Sequence, residues 1–134
     1  MSCLKILLNI NESRELLLKY ATKNMNSELI LFIIDLEKYK KNNSIEMFMY
    51  LIQTYIMKDS QYELNISHEL RNGMHINNDQ EEFKQVEIHV KMLINSHLLT
   101  DNFCDFVTKY YEDLEKDKPK LYNMFKKRPS IRSL

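Results

Sequence analysis

Apolar residues recur along most of this chain at intervals of three and four, the spacing of helices with one buried face. Thr100 and Asp101 can cap one such helix, which carries an aromatic-rich stripe, and Asn11 and Ser13 can cap another near the start of the chain. Further helices are predicted over residues 3–9, 44–57, about 67–74, 80–95 and 121–125.

One stretch differs from these one-faced helices because it is apolar around almost its whole circumference. A helix that is apolar on all sides is buried on all sides. The stretch is also far too short to span a bilayer. It is therefore predicted to be the central rod of a helical bundle, formed by Leu29, Ile30, Leu31, Phe32, Ile33, Ile34 and Leu36.

The composition supports a purely helical fold. Among 134 residues there are one glycine, Gly73, and two prolines. The glycine and proline residues that form the tight turns of sheet proteins are therefore almost absent. About eight helices are expected. A chain of this length forms a single domain, which we expect over residues 1–125, with 126–134 as a basic tail or linker.

The charge balance narrows the class of partner. Nineteen basic and nineteen acidic side chains cancel, so no overall field attracts nucleic acid or an anionic membrane, and a protein surface is the expected partner. No segment reaches the length of a membrane span or has the form of a secretory signal. The two cysteines, Cys3 and Cys104, are far apart and are expected to pack in a protein of a reducing, cytoplasmic compartment.

No pattern for intrinsic chemistry is present. The four histidines, His68, His75, His89 and His97, lack the spacing of metal ligands, and one glycine cannot build a phosphate-binding loop. No nucleophile elbow occurs. Neither a metal nor a cofactor is expected, and Glu81, Glu82 and Glu87 are interpreted as a solvated helix face without a catalytic role.

Four stretches carry a more specific pattern. In NSELILFIIDLEKYKK (26–41) the informative residues are Glu28, Phe32, Glu37, Tyr39, Lys40 and Lys41. In YIMKDSQYELNI (55–66) they are Tyr55, Ile56, Glu63, Leu64, Asn65 and Ile66. EEFKQVEIHVKMLIN (81–95) adds Phe83, Val86, Val90 and Leu93, and DNFCDFVTKYYEDL (101–114) follows as a closing helix. In this order and spacing, the four stretches resemble the regulators of G-protein signalling, over about residues 16–114.

The resemblance implies a fold and a function. The fold would have nine helices, with a central four-helix bundle and a smaller subdomain formed by the two chain ends. The domain would bind, as a monomer, the α subunit (Gα) of heterotrimeric G proteins in its GTP-bound or transition-state form at the cytoplasmic face of a membrane. It would accelerate GTP hydrolysis without being an enzyme, because Gα carries its own arginine and water-positioning glutamine. Preferential binding of the switch loops in their transition-state arrangement is sufficient.

The resemblance also assigns three groups of Gα contacts. They are Ser27, Glu28 and Leu29, then Glu63, Leu64 and Asn65, then Leu93 with His97, Leu98, Asp101 and Asn102 in the joint that follows it. Asn65 is expected to reach the Gα glutamine and is the first choice for GTPase activation. Without the resemblance, Asn65 is a turn residue or a helix cap, and Glu28 only favours a helix N-terminus.

Some positions depart from the family pattern. Leu29 stands where the family has Asn, Ile33 where it has Trp, and the joint near His97 and Asn102 lacks the family's Asp and Arg. Each lost charge-assisted contact costs about 1.5–3 kcal/mol. Two alternatives therefore stay open: a Gα-binding effector module with little acceleration, as in Rho guanine-nucleotide exchange factors that carry a diverged domain of this kind, and a helical adaptor that never meets Gα.

Overall fold

The structure of the protein is a computed structural model that describes residues 3–112. Seven α-helices lie in this range: α1 (Cys3–Asn9), α2 (Asn11–Lys23), α3 (Ser27–Lys41), α4 (Ile45–Leu51), α5 (His68–Asn72), α6 (Lys84–His97) and α7 (Asp101–Glu112). A π-helical segment (Ile52–Ile56) continues α4, and a 3₁₀ turn (Gln80–Phe83) leads into α6. The described part contains no strand, so the predicted all-α class is confirmed.

The helix count is only roughly as predicted, since residues 3–112 contain seven α-helices. The segments predicted over 44–57 and 80–95 each change helix type along their length. The short helix predicted over 121–125 and the basic tail 126–134 lie outside the described residues. Within that described range, no helix combines the length and the apolar character needed to cross a membrane.

Helix α3 is the buried rod that the apolar run predicts. Its apolar side chains are removed from water on most of the circumference, and Leu31 and Ile34 keep partial exposure. Complete burial of one such side chain contributes about 1.5–3 kcal/mol. The α3 residues that are at most 3% exposed are Leu29, Ile30, Phe32, Ile33, Leu36 and Tyr39.

An aromatic cluster joins α3 to its neighbours. The ring of Phe83 lies 6.2 Å from that of Phe32, 5.9 Å from Tyr39 and 5.1 Å from Phe48, measured between centroids. The Phe32 ring also meets Tyr55 edge-on at 5.3 Å. Tilted and edge-on pairs of this kind add about 0.5–1.5 kcal/mol each beyond area burial. The cluster therefore holds α3, α4, the π-helical segment and the 3₁₀ turn together.

The chain divides into two compact units. Within residues 3–112, the end unit combines residues 3–25 with 94–112, and the central unit is Asn26–Leu93. In the end unit, the Tyr20 ring packs 5.2 Å from Phe103 and 5.1 Å from Phe106. A unit built from both chain ends agrees with the fold that the resemblance implies.

The caps differ in part from prediction. Asn11 is the first residue of α2 and does not cap it, because the N-cap is Ile10 and no side chain bonds there. Ser13 is buried and its hydroxyl donates to the carbonyls of Leu7 and Ile10, which closes the turn between α1 and α2. At α7, the carbonyl of Thr100 accepts from the N–H groups of Phe103 and Cys104, as expected of a cap residue.

Candidate functional site

The connector (residues 57–67) leaves the π-helical segment and folds back on it. The last carbonyls of any helix lack partners within the helix. Here the connector supplies hydrogen-bond donors for two of these carbonyls: Tyr62 N donates to Thr54 O (3.2 Å) and Leu64 N donates to Tyr55 O (2.9 Å). The connector is therefore attached by its main chain to the helix end that it caps.

Arg71, in α5, binds both the end of the π-helical segment and the connector. Its Nε donates to Ile56 O at 2.7 Å, and its Nη2 donates to Leu64 O at 3.1 Å. The same Nη2 lies 2.9 Å from Glu63 Oε2. Arg71 thus binds both the helix end and the connector through a planar fork that lysine does not have. Sequence reasoning missed this residue, since a single arginine in a polar helix carries no pattern.

Both carboxylate oxygens of Glu63 have partners that hold the connector. Besides its ion pair with Arg71, its Oε1 accepts from the main-chain N–H of Asp59 at 2.9 Å. Asp59 has a φ of 65°, a left-handed conformation in which this bond helps to hold a residue other than glycine. The carboxylate of Glu63 therefore stabilises the connector.

Asn65 is presented outward from this anchored segment. Its neighbours Leu64 and Ile66 are buried, whereas the Asn65 side chain is exposed. The Asn65 carbonyl lies 3.1 Å from His89 Nε2 of α6. Asn65 does not cap α5: the N-cap is Ser67, whose Oγ accepts from Leu70 N at 3.1 Å. The capping role that sequence alone offered for Asn65 is thus taken by Ser67.

The start of α3 carries the first predicted group. Ser27 and Glu28 are partly exposed, and Leu29 is buried. Glu28 lies in the first turn, where a carboxylate interacts favourably with the unpaired N–H groups of the helix. Leu29 packs inside the central unit, so its side chain offers no polar contact.

Tyr55 links α3 to the connector. Phe32 lies one turn after Glu28 on the same side of α3, and its ring meets that of Tyr55. One further turn along, Asp35 Oδ2 accepts a 2.6 Å hydrogen bond from Tyr55 Oη. Since Tyr55 also bonds Leu64 through its carbonyl, Tyr55 connects α3, the helix that begins with the first predicted group, to the second predicted group.

The third predicted group is distributed over both units. Leu93 is partly exposed and ends the central unit, whereas the other four residues belong to the end unit. His97 ends α6, and Asp101 and Asn102 begin α7; all three are exposed. Leu98 is fully buried and its side chain is part of the core.

The carboxylates interpreted as a solvated face of α6 behave differently from one another. Glu81 is exposed as predicted. Glu82 accepts from the His75 main-chain N–H at 3.0 Å, and the Glu87 side chain is only 14% exposed. The fully solvated interpretation was wrong for Glu82 and Glu87, because periodicity does not reveal which polar positions meet a neighbouring element.

Glu87 forms an ion-pair network with two lysines. Lys40 Nζ donates to both carboxylate oxygens at 2.8 Å, and Lys91 Nζ lies 2.8 Å from Oε2. Burial acts to raise the pKa of Glu87, but the hydrogen bonds from the two lysines outweigh burial and lower the pKa below its ordinary value. Lys40, one of the residues in the stretch 26–41 that resemble the family pattern, therefore joins α3 to α6.

Two buried tyrosines also have altered acidity. Burial, followed by the hydrogen bond to Asp35, raises the pKa of Tyr55 far above its ordinary value. Burial and the nearby charge of Asp79 raise the pKa of Tyr39, whose hydroxyl donates to Asn78 Oδ1 at 2.9 Å. Both phenols therefore act as neutral hydrogen-bond donors. Among the described residues, no group of three potential ligands could hold a metal ion.

Comparison with protein families gives a match over most of the chain. The family model described as "Regulator of G protein signaling domain" matches residues 3–114. All three predicted contact groups lie inside this range. No curated protein matches the chain.

Proposed function

Because this chain belongs to the family of regulators of G-protein signalling, we propose that it binds the GTP-bound Gα subunit and accelerates its GTP hydrolysis. The domain acts as a monomer over residues 1–125, at the cytoplasmic face of the membrane that carries Gα. It contributes no reacting group of its own. The observation that supports this proposal most is the exposed Asn65 side chain on a connector anchored at both sides.

The chemistry required of Asn65 is modest. Gα supplies an arginine for the transition-state charge and a glutamine that orients the attacking water. An asparagine amide both donates and accepts hydrogen bonds, so it can hold that glutamine in its productive orientation. A tenfold acceleration requires about 1.4 kcal/mol of preferential transition-state binding. One or two hydrogen bonds made only in the transition state supply this amount.

The anchoring of the connector matters because an ordered contact loses little entropy when it binds. Leu64 is tied to Tyr55 through its N–H and to Arg71 through its carbonyl, while the Asn65 carbonyl contacts His89. The main chain at Asn65 is therefore held near one position before Gα arrives, which limits the space that its amide can sample.

Single-turnover hydrolysis of GTP on Gα from the source organism tests the proposal directly. The wild-type domain should accelerate hydrolysis, and Asn65→Ala should reduce the acceleration about tenfold or more. Asn43→Ala is the matched control: Asn43 is also exposed, but it follows the opposite end of α3, about 21 Å along the helix from Ser27. No acceleration by the wild type, or equal activity of the two variants, would contradict the proposal.

A second candidate function is a Gα effector module without acceleration. The burial of Leu29, Leu64 and Leu98 favours it, because three of the expected contact positions offer no side chain to a partner. Such a module should bind Gα carrying a GTP analogue and Gα carrying GDP with aluminium fluoride equally well. An accelerator should prefer the aluminium fluoride form, and equal binding to the GDP form would exclude both functions.

A further inference from the structure

We infer that the hydrogen bond between Tyr55 and Asp35 positions the connector and therefore the Asn65 amide. This inference deepens the proposed function and rests on it. The residues involved lie within the central unit, and neither Tyr55 nor Asp35 belongs to the predicted contact groups.

Several contacts hold the side chain of Tyr55 in one position. Its Oη donates to Asp35 Oδ2 at 2.6 Å, a short bond of the kind formed with carboxylate acceptors. Its ring is 1% exposed, meets Phe32 edge-on and lies 6.4 Å from the ring of Tyr62 in the connector. The side chain of Asp35 is 16% exposed, so water competes little for the bond. Burial raises the pKa of Tyr55, which keeps the phenol a donor.

The helix type explains why this bond affects Asn65. Tyr55 lies in the π-helical segment, where Met57 N donates to Ile52 O across five residues. A π turn is rare compared with an α turn, so side-chain contacts are needed to hold it. If the segment returned to α geometry, the carbonyls of Thr54 and Tyr55 would change direction. These carbonyls accept from Tyr62 and Leu64, and Leu64 directly precedes Asn65.

The hydroxyl of Tyr55 can be tested separately from its ring. Phenylalanine would supply the ring packing without the bond to Asp35. The positioning contact is therefore separable from the core packing, and a single atom can be removed to test it.

The first test measures amide hydrogen exchange in the free domain. Tyr55→Phe should speed exchange of the Leu64 and Tyr62 amides at least fivefold, because their acceptors lose their position. Tyr39→Phe is the matched control, since it removes another buried hydroxyl, the one bonded to Asn78. It should change these two amides less than twofold. Equal exchange at Leu64 and Tyr62 in both variants would overturn the inference.

The second test measures single-turnover hydrolysis by Gα at saturating domain. Tyr55→Phe should reduce acceleration severalfold, and Tyr39→Phe should not. Asp35→Asn keeps an acceptor oxygen and should retain more acceleration than Asp35→Ala. In the Asp35→Ala background, Tyr55→Phe should have almost no further effect, because the pair acts as one unit. Additive effects of the two substitutions would overturn the inference.

The two tests separate failure of the inference from failure of the proposed function. If the wild type accelerates hydrolysis and Tyr55→Phe accelerates it equally, the inference is overturned and the function stands. If the wild type accelerates nothing, the proposed function fails, and faster exchange in Tyr55→Phe then supports positioning of the connector alone.

Discussion

Glu28 and Glu46 each lie in the first turn of a helix, α3 and α4 respectively. In both places the carboxylate is near unpaired N–H groups, which stabilises the helix by about 0.3–1 kcal/mol. Only Glu28 is proposed to contact Gα. Both residues therefore stabilise a helix start, and Glu28 is proposed to bind Gα in addition.

Charge reversal separates these roles. Glu28→Lys and Glu46→Lys should each lower the free energy of unfolding by about 1 kcal/mol or less, measured by urea denaturation. Glu28→Lys alone should weaken Gα binding about tenfold or more in calorimetric titration. The substitution removes the carboxylate that accepts from the switch loops of Gα and places an ammonium group opposite their donors. Unchanged binding by Glu28→Lys would favour the helical adaptor that never meets Gα.

Residue type alone left several side chains ambiguous. Asn65 and Ser67 are both typical of turns and caps, yet Ser67 caps α5 and Asn65 faces solvent. Leu98 was predicted as a Gα contact in the joint after α6 and is buried in the core. The difference arises because exposure depends on what packs against a position, and a position in a joint has no period from which that can be derived.

Among the helices, α3 was the easiest to predict because its run 29–36 is apolar around almost the whole circumference. The π-helical segment was not predicted. Its apolar residues Ile52, Tyr55 and Ile56 satisfy the spacing of a regular helix. The change of helix type accompanies bonds from the connector and from Arg71 to the final carbonyls, and these partners lie well beyond the helix in sequence.

The ion pair between α3 and α6 should depend on pH. Glu87→Gln should lower the free energy of unfolding by about 1–2 kcal/mol at pH 7, a value reduced by the partial exposure of Lys40. Because the folded-state pKa of Glu87 is lowered, its contribution is complete above about pH 5. It is lost as the pH falls through the lowered pKa, where the folded protein also binds the proton.

Urea denaturation at pH 7, 5 and 3 checks this dependence. Glu37→Gln is the control, because Glu37 is more exposed and lies 3.6 Å from the same lysine; it should change stability by less than about 0.5 kcal/mol. A difference between Glu87→Gln and the wild type that stays constant down to pH 3 would contradict the ion-pair explanation.

The molecule as a whole consists of a central unit, which carries the connector, and an end unit, in which α7 meets α2. Tyr20 of α2 packs against Phe103 and Phe106 of α7, and Val107 is buried. The end unit therefore depends on residues from both termini of the matched range. Contacts of this kind, between distant parts of a chain, make a domain cooperative.

Truncation tests the proposed domain limits. A chain ending at residue 125 should unfold within about 2 °C of the full chain and bind Gα equally, because 126–134 is proposed to be a tail. A chain ending at residue 100 should lose cooperative unfolding, since it removes α7 and its aromatic contacts. Thermal unfolding followed by circular dichroism distinguishes them. A fall of more than about 5 °C for the chain that ends at residue 125, which corresponds to about 1 kcal/mol or more, would extend the domain into the tail.

The amino-acid sequence by itself determined the helical class, the buried rod and the order of the family segments. Helical periodicity and the scarcity of glycine act locally, so they can be recognised without knowledge of packing. Only the tertiary structure decided the π-helical turn, the cap by Arg71, the bond from Tyr55 to Asp35 and the pairing of Lys40 with Glu87. Each of these depends on side chains that are distant along the chain and meet only after the helices have packed.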